Sequence, residues 1–238
     1  MINIKILNLD YEYFHNMTYS RMMFAQVSSQ PIELNRIFIA LLLENGAIEK
    51  EFKAGEIVYQ ENSPSLFYYH MLTGRIRLSN FYDDGKEVLH KLVCAKEGFG
   101  SASILDNCPN HVTAIADGPC SVLKIGKLSF MTLLTENQQM LLYITQQQAR
   151  DLRFKTFLTK LICCRIPKEV ITKLMQFLHD DRRLICQKCN RLMLTRQQLA
   201  NMTGLRVETV IRTMKQLEKE EELNIIKGKV FMPCAGTK

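Results

Sequence analysis

The stretch that most restricts this chain is residues 194–232, LTRQQLANMTGLRVETVIRTMKQLEKEEELNIIKGKVFM. Thr195 can cap a helix, and Gln198 three residues later completes a capping box by reaching back to it. TRQQLANMT then makes a short helix with Leu199 and Met202 facing inward. Gly204 follows where a tight turn between two helices needs a residue that tolerates positive φ. Leu205 would plug the space between them. A second helix is predicted from about Val207 to Lys219, with Val210, Met214 and Leu217 at helical spacing on its buried face. LNIIKGKVFM has the shape of a hairpin turning at Lys227-Gly228-Lys229. Helix, glycine turn, amphipathic helix and basic hairpin in this order describe a winged helix-turn-helix better than a plain three-helix unit with solvated charges.

This arrangement leaves Arg206, Glu208, Thr209, Arg212 and Lys215 at the exposed start and outer face of the second helix. In such motifs that part of the helix enters the major groove of DNA. Arg212 can donate two hydrogen bonds to guanine and Glu208 can accept one from cytosine. Thr195, Arg196 and Gln197 at the start of the first helix can hold phosphates, as can Lys227 and Lys229 in the hairpin. The charge distribution agrees. Residues 161–238 hold 15 Lys/Arg against 8 Asp/Glu, whereas residues 1–160 hold 16 of each, so the whole excess of +7 lies in the last third. A basic surface attracts the phosphate backbone and displaces its counterions.

The rest of the chain has a different texture. Residues 1–30 form an extension without clear periodicity, and residues 31–45 read as an apolar helix ending near Gly46. From about 48 to 125, short segments rich in β-branched and aromatic residues recur: EIVYQEN, LFYYHMLTGRIRLSNFYDDGKEVLHKLV, GFGSASIL, HVTAIA and CSVLKI. Asp83-Asp84-Gly85 marks a hairpin turn. Strands at roughly even spacing predict an antiparallel β-roll or jelly roll. KLSFMTLLTE then reads as a short helix, and a helix of about seven turns runs to Cys164 without Gly or Pro. Its Met140, Ile144, Ala149, Leu152, Phe154, Leu158 and Leu161 form an imperfect stripe, suited either to a dimer seam or to packing on the chain's own barrel. Pro167 starts a fresh helix. The expected fold is therefore α+β, with an extension (1–30), a β-roll (31–135), a dimerisation helix (136–163) and a winged helix-turn-helix (164–238).

Several functions are disfavoured. No apolar run of about 18 residues could span a membrane, and the N-terminus lacks the order of a signal peptide, so a cytoplasmic protein with no membrane partner is expected. There is no phosphate-binding glycine loop, dinucleotide fingerprint, H-E-x-x-H or G-x-S-x-G, so no enzyme is expected. The eight cysteines are read as reduced thiols, several of them filling the core, with Cys163-Cys164 packing at the hinge. Cys186-Gln187-Lys188-Cys189 has the spacing of half a zinc site or a redox pair, but no second ligand pair accompanies it. It is read as a turn, with metal or thiol sensing as the alternative.

Residues 35–232 resemble the CRP/FNR family of bacterial transcription regulators. The family's helix-turn-helix pattern is matched by Thr195, Arg196, Gln197, Leu199, Ala200, Gly204, Val207, Glu208, Thr209, Val210, Arg212 and Met214. The resemblance implies that Glu208 and Arg212 read bases and that Thr209 touches a phosphate. Val207 matches the FNR-like branch, while Ile211 departs from the serine usual there. Lys53-Ala54-Gly55-Glu56, Leu72-Thr73-Gly74-Arg75 and Asp84-Gly85-Lys86-Glu87-Val88 sit where the family's β-roll turns fall. Family members that bind a cyclic nucleotide hold it with a glutamate and an arginine in one cassette. Here Gly100 is followed by Ser101 in place of the glutamate, and Asn110 and His111 replace the arginine and serine. Losing the cation that faces a buried phosphate should cost several kcal/mol, so neither cyclic AMP nor cyclic GMP is expected to bind. Gly100, Ser101, Asn110 and His111 remain candidates for an unknown small-molecule effector, with a purely structural His111 as the alternative. The iron–sulfur cluster of the family's oxygen sensors needs cysteines that residues 1–93 lack. His15, His70 and His90 could ligate a haem but sit in no diagnostic motif, so no cofactor is expected. The implied partners are double-stranded DNA, a second copy of the chain and, for an activator, RNA polymerase. A ligand-binding signalling module without a DNA role is the rival reading.

Overall fold

The computed structural model describes residues 32–233. The extension read over residues 1–30, with His15, lies outside the described residues. The apolar run after Pro31 is helix α1 (Ile32–Glu44). Eight strands follow: β1 (Ile48–Phe52), β2 (Ile57–Tyr59), β3 (Phe67–Thr73), β4 (Arg75–Phe81), β5 (Glu87–Cys94), β6 (Gly98–Phe99), β7 (Thr113–Ala116) and β8 (Cys120–Gly126). They pair as two four-stranded sheets, β1-β8-β3-β6 and β2-β7-β4-β5, with every pairing antiparallel. Phe52, Tyr69, Met71, Ile76, Val93, Phe99 and Val122 fill the space between them. This is the expected jelly-roll-like unit. The β4–β5 hairpin turns at Asp83-Asp84-Gly85, where the Asp84 carboxylate accepts the Lys86 N–H at 2.9 Å.

One strand reading fails. GFGSASIL yields only the two residues of β6 and then helix α2 (Ser101–Leu105). Gly100, with φ of 86°, ends the pairing and turns the chain; a Cβ there would lie 2.9 Å from the Phe67 carbonyl oxygen. Neither a two-residue strand nor a five-residue helix is long enough to show a period.

Helix α3 (Lys127–Glu136) and α4 (Gln138–Cys164) come next, and Asn137 caps α4 by accepting the Met140 N–H at 3.0 Å. With α1 they cover the outer face of β3 and β8, burying Phe38, Leu42, Tyr68, Ile125, Phe130 and Ile144. Tyr68 and Phe130 stack at 4.2 Å. His70 is sealed in this layer, its Nε2 3.1 Å from Asn35 Oδ1. Burial pushes its pKa down to about 4, so the ring is neutral at pH 7 and, with Nε2 engaged, poorly placed to ligate a haem.

The stripe expected on α4 needs correction. Its buried residues are Met140, Ile144, Gln147, Phe154, Leu158 and Leu161, a regular face at helical spacing that packs on the chain's own units. Gln147 takes the core position by donating to the Gly98 carbonyl. Leu152 is instead 67% exposed, as Leu141 and Leu142 are in large part, and it borders the space between α4 and the β-roll.

Arg165, in the left-handed region at φ of 56°, ends α4, and Pro167 opens α5 (Pro167–Asp180). Then come α6 (Arg196–Thr203), α7 (Val207–Lys219), β9 (Asn224–Ile226) and β10 (Lys229–Phe231). Their core joins Phe154, Leu158, Ile171, Leu174, Leu199, Val210, Met214, Leu217 and Val230 with Leu89 and Leu92 of β5. One strand of the β-roll is thus built into the core of the last third. Of the described cysteines Cys120 is buried, and Cys94 and Cys164 pack half-buried against the core of the last third. Cys163 is exposed, while the Cys164 thiol donates to Glu169 at 3.4 Å. No helix among the described residues is long and apolar enough to cross a membrane.

Candidate nucleic-acid interface

Helix α6 starts with both halves of a capping box. Thr195 Oγ1 accepts the Gln198 N–H at 3.0 Å, and Gln198 Oε1 accepts the Thr195 N–H at 3.0 Å. Leu199, Ala200, Met202 and Thr203 are buried. Gly204, with φ of 72°, closes the helix through its N–H to Ala200 O. An L side chain in that conformation costs about 1 kcal/mol or more, which is why glycine serves the turn. Leu205 packs half-buried against the core. Arg206 precedes α7, whose Val210, Thr213, Met214 and Leu217 point inward.

The opposite face of α7 carries Glu208, Ile211, Arg212, Lys215, Gln216 and Lys219 along one shallow groove. Glu208, Arg212, Lys215 and Arg206 are exposed and Thr209 is half-buried. Glu208 and Arg212, one turn apart, have no ion-pair or hydrogen-bond partner among the described residues. Both therefore present unspent polar groups on a helix whose other face is locked in the core.

The wing is a two-residue hairpin. Lys229 pairs with Ile226 and Phe231 with Asn224, and Lys227 and Gly228 have φ of 48° and 73°, as this tight turn demands. Lys227 and Lys229 are exposed while Val230 is buried. Arg196 donates to the Gly228 carbonyl, so its guanidinium ties α6 to the wing. Gln197 donates to Asn201 at 2.8 Å.

A second feature lies between the β-roll and α4: a cavity of about 200 Å³ lined by Tyr59, Leu78, His90, Phe99, Gly100, Ser101, His111, Val112, Gln148, Leu152 and Lys155, among others. Gln148 donates to Ser101 Oγ at 2.8 Å, so the long helix touches the wall. Lys91 contributes a cation but is held by Asp151 at 2.7 Å. His90 hydrogen-bonds Asn80, and His111 Nδ1 lies 3.2 Å from Ser103 Oγ. Burial and the nearby Lys155 charge lower the pKa of both imidazoles. Asn110 does not line the cavity. Its side chain turns away to donate to Ser63 Oγ at 3.1 Å, fastening the loop that precedes β3.

Two family models match the chain: a cyclic nucleotide-binding domain over residues 49–137 and a Crp-like helix-turn-helix domain over residues 170–231. The nitrogen fixation regulation protein FixK of Bradyrhizobium diazoefficiens is 28% identical over 186 residues, 76% of each chain. The cAMP-activated global transcriptional regulator CRP of Haemophilus influenzae is 25% identical over 154 residues, 64% of this chain and 69% of the other. The structure of FixK2 from Bradyrhizobium japonicum superposes with a TM-score of 0.68 at 22% identity, covering 78% of this chain and 92% of the other. The chain belongs to the CRP/FNR family.

This CRP/FNR regulator is a DNA-binding transcription regulator, and its structure adds contacts that sequence reasoning missed. Gln198 caps α6 with its oxygen and donates with its nitrogen to Asp117 of the β-roll at 2.8 Å. A glutamate there would cap equally well but face Asp117 with like charge. Asn201 donates to Glu87 at 2.8 Å, Arg75 to the Met193 carbonyl at 2.7 Å, and Arg183 pairs with Glu97 at 3.0 Å. The first helix of the helix-turn-helix and the loop before it are thereby seated on the β-roll. Partners this far apart in sequence leave no local signal; the isolated polar residues inside a short amphipathic helix were the only hint.

Proposed function

We propose that this chain works as a homodimer that reads a near-palindromic site in double-stranded DNA, with Glu208, Arg212 and Arg206 at base edges. The observation that carries this reading is the unpaired, outward Glu208 and Arg212 at the start of a helix whose far side is fixed in the core. Two such helices related by a two-fold axis would meet half-sites about one helical turn apart. Thr195, Arg196, Gln197, Thr209, Lys215, Lys227 and Lys229 would face the phosphates. Arg196 would do so while holding the wing turn, and Thr195 through the helix end it caps. The outward Leu141, Leu142 and Leu152 of α4 supply the face for the second copy. The work is binding, not catalysis, and the setting is the cytoplasm.

Arg212→Ala is expected to relax preference at one position of each half-site by about 1–3 kcal/mol. Lys227→Ala should weaken all sequences alike and lower the salt slope by about 1. Anisotropy titrations at several salt concentrations compare the two. Unchanged selectivity in Arg212→Ala would remove that side chain from base reading.

The cavity is the proposed effector site, with Gly100, Ser101 and His111 in its wall and Asn110 supporting it from behind. Among the described residues no arginine lines it, Ser101 cannot replace a carboxylate on a ribose hydroxyl, and of its two lysines Lys91 is already paired while Lys155 is exposed to solvent. Isothermal calorimetry is expected to show no binding of cyclic AMP or cyclic GMP at micromolar concentrations. Micromolar affinity for either would contradict this account of the cavity. An effector there would touch Gln148 and Lys155 of α4 and could bias the placement of the two DNA-binding units by population shift.

A further inference from the structure

The helix-turn-helix makes no use of the Cys186–Cys189 pair, yet the local geometry is organised. The chain from Leu184 to Met193 is a hairpin: Ile185 bridges Leu192, Cys186 N–H donates to Arg191 O at 2.8 Å, and Met193 N–H to Leu184 O at 2.7 Å. Its tip is a single helical turn closed by Asn190 N–H on Cys186 O at 2.8 Å. One such turn brings positions three apart to the same side, which sets the two thiols together. Cys189 hydrogen-bonds to the Cys186 sulfur, and the backbone N–H groups of Lys188 and Cys189 point at it. These donors, with Arg191 nearby, pull the Cys186 thiol below its ordinary range. Burial pushes Cys94 and Cys120 the other way. Among the described residues no group of three or more His, Cys, Asp or Glu could hold a metal.

The same hairpin carries the wing. Leu192 N–H donates to Val230 O at 2.8 Å and Met232 N–H to Asn190 O at 3.0 Å, while Arg191 bridges Phe231. Asn190, which closes the thiol turn, therefore also holds the strand that leaves the wing.

We propose that Cys186 and Cys189 are a redox-modification site, oxidised by hydroperoxides to an intramolecular disulfide that displaces the wing. The Cys186 thiolate attacks the terminal peroxide oxygen. An S–O bond forms as O–O breaks, and the departing alkoxide takes a proton to leave as alcohol, or as water from hydrogen peroxide. The Cys189 thiol then attacks the sulfenic sulfur. S–S forms, S–O breaks, and the hydroxide leaves as water with the proton of Cys189. The net change is two thiols and one hydroperoxide to one disulfide, one alcohol and one water. A cytoplasmic disulfide of this kind is transient and sensing, not structural.

The test uses the intact protein and hydrogen peroxide. Trypsin cuts after Lys188, separating LICQK from CNR, so the disulfide appears in mass spectrometry as those two peptides joined. It should form before Cys108 or Cys163 is oxidised and reverse with a dithiol reductant. Cys189→Ser should stop at a sulfenic acid on Cys186 that a dimedone probe captures, and Cys186→Ser should give neither product. Oxidation should weaken DNA binding about threefold to tenfold through lost phosphate contacts, and the double serine variant should lose this response. If Cys186 and Cys189 stay reduced while Cys108 or Cys163 reacts, the site is overturned. If the linked peptide forms with unchanged DNA affinity, or the double variant still responds, the coupling to the wing is overturned. The peptide readout does not depend on the proposed wing contacts, so the two can fail separately.

Discussion

Leu152→Glu is expected to leave a folded monomer that binds its DNA site about 10²–10⁴-fold more weakly than the parent, because the second half-site no longer gains the effective concentration a dimer supplies. Leu152 is 67% exposed on α4 and only borders the cavity beside the β-roll, so within one chain the change removes little packing and should alter stability by about 0.5 kcal/mol or less. Between two chains it would place a carboxylate at an apolar seam continuing through Leu141, 44% exposed, and Leu142, 57% exposed. Sedimentation velocity and anisotropy titration on the same samples separate the effects. A variant that stays dimeric would place the seam elsewhere, and a monomer of undiminished affinity would mean that dimerisation does not underlie tight binding.

Arg183→Ala should be the most destabilising change among the polar contacts that join the two units, costing about 3 kcal/mol. Arg183 sits in the turn after α5, where its guanidinium meets Glu97 at 3.0 Å and the Leu92 carbonyl at 3.4 Å. Glu97 also accepts the Cys94 N–H at 3.0 Å. Burial alone would raise the Glu97 pKa, but Arg183 and Lys91 outweigh it and hold the carboxyl below its ordinary 4.5. A carboxylate with a depressed folded pKa contributes stability that is complete above the unfolded value and lost as pH falls through the folded one. The difference between parent and variant should therefore be full at pH 7 and shrink under acid. Urea unfolding at pH 7 and near pH 3 measures both. A loss under about 0.5 kcal/mol at pH 7 would show that the pair is not needed to seat one unit on the other.

Much of the last third was legible because its signals are local. The Thr195 capping box, the turn at Gly204, the buried Val210, Met214 and Leu217, and the Lys227-Gly228 turn each depend on residues within a few positions. The β4–β5 hairpin was legible for the same reason. What escaped depends on partners far along the chain. Leu89 and Leu92 look like ordinary strand residues yet enter the core of the DNA-binding unit. Gln198 reads as a cap, and nothing near it announces Asp117. Asn110 was placed in the cavity from its position in the cassette, but once the arginine is gone an amide gains more from Ser63 than from an open cavity. On α4, the residues read as one stripe divide between a face packed on the chain itself and the exposed Leu152, because hydrophobicity alone cannot tell the two apart. The regular buried face, with Gln147 in it, had to be seen in place.

The measurement that bears most directly on the central claim is selection of bound fragments from randomised duplex DNA by the intact protein, followed by sequencing. The account predicts a two-fold symmetric site whose half-sites lie about one helical turn, roughly 10 base pairs, apart, each with a guanine–cytosine pair within reach of Arg212 and Glu208. Fragments recovered without any shared motif, or a motif lacking that symmetry, would contradict it.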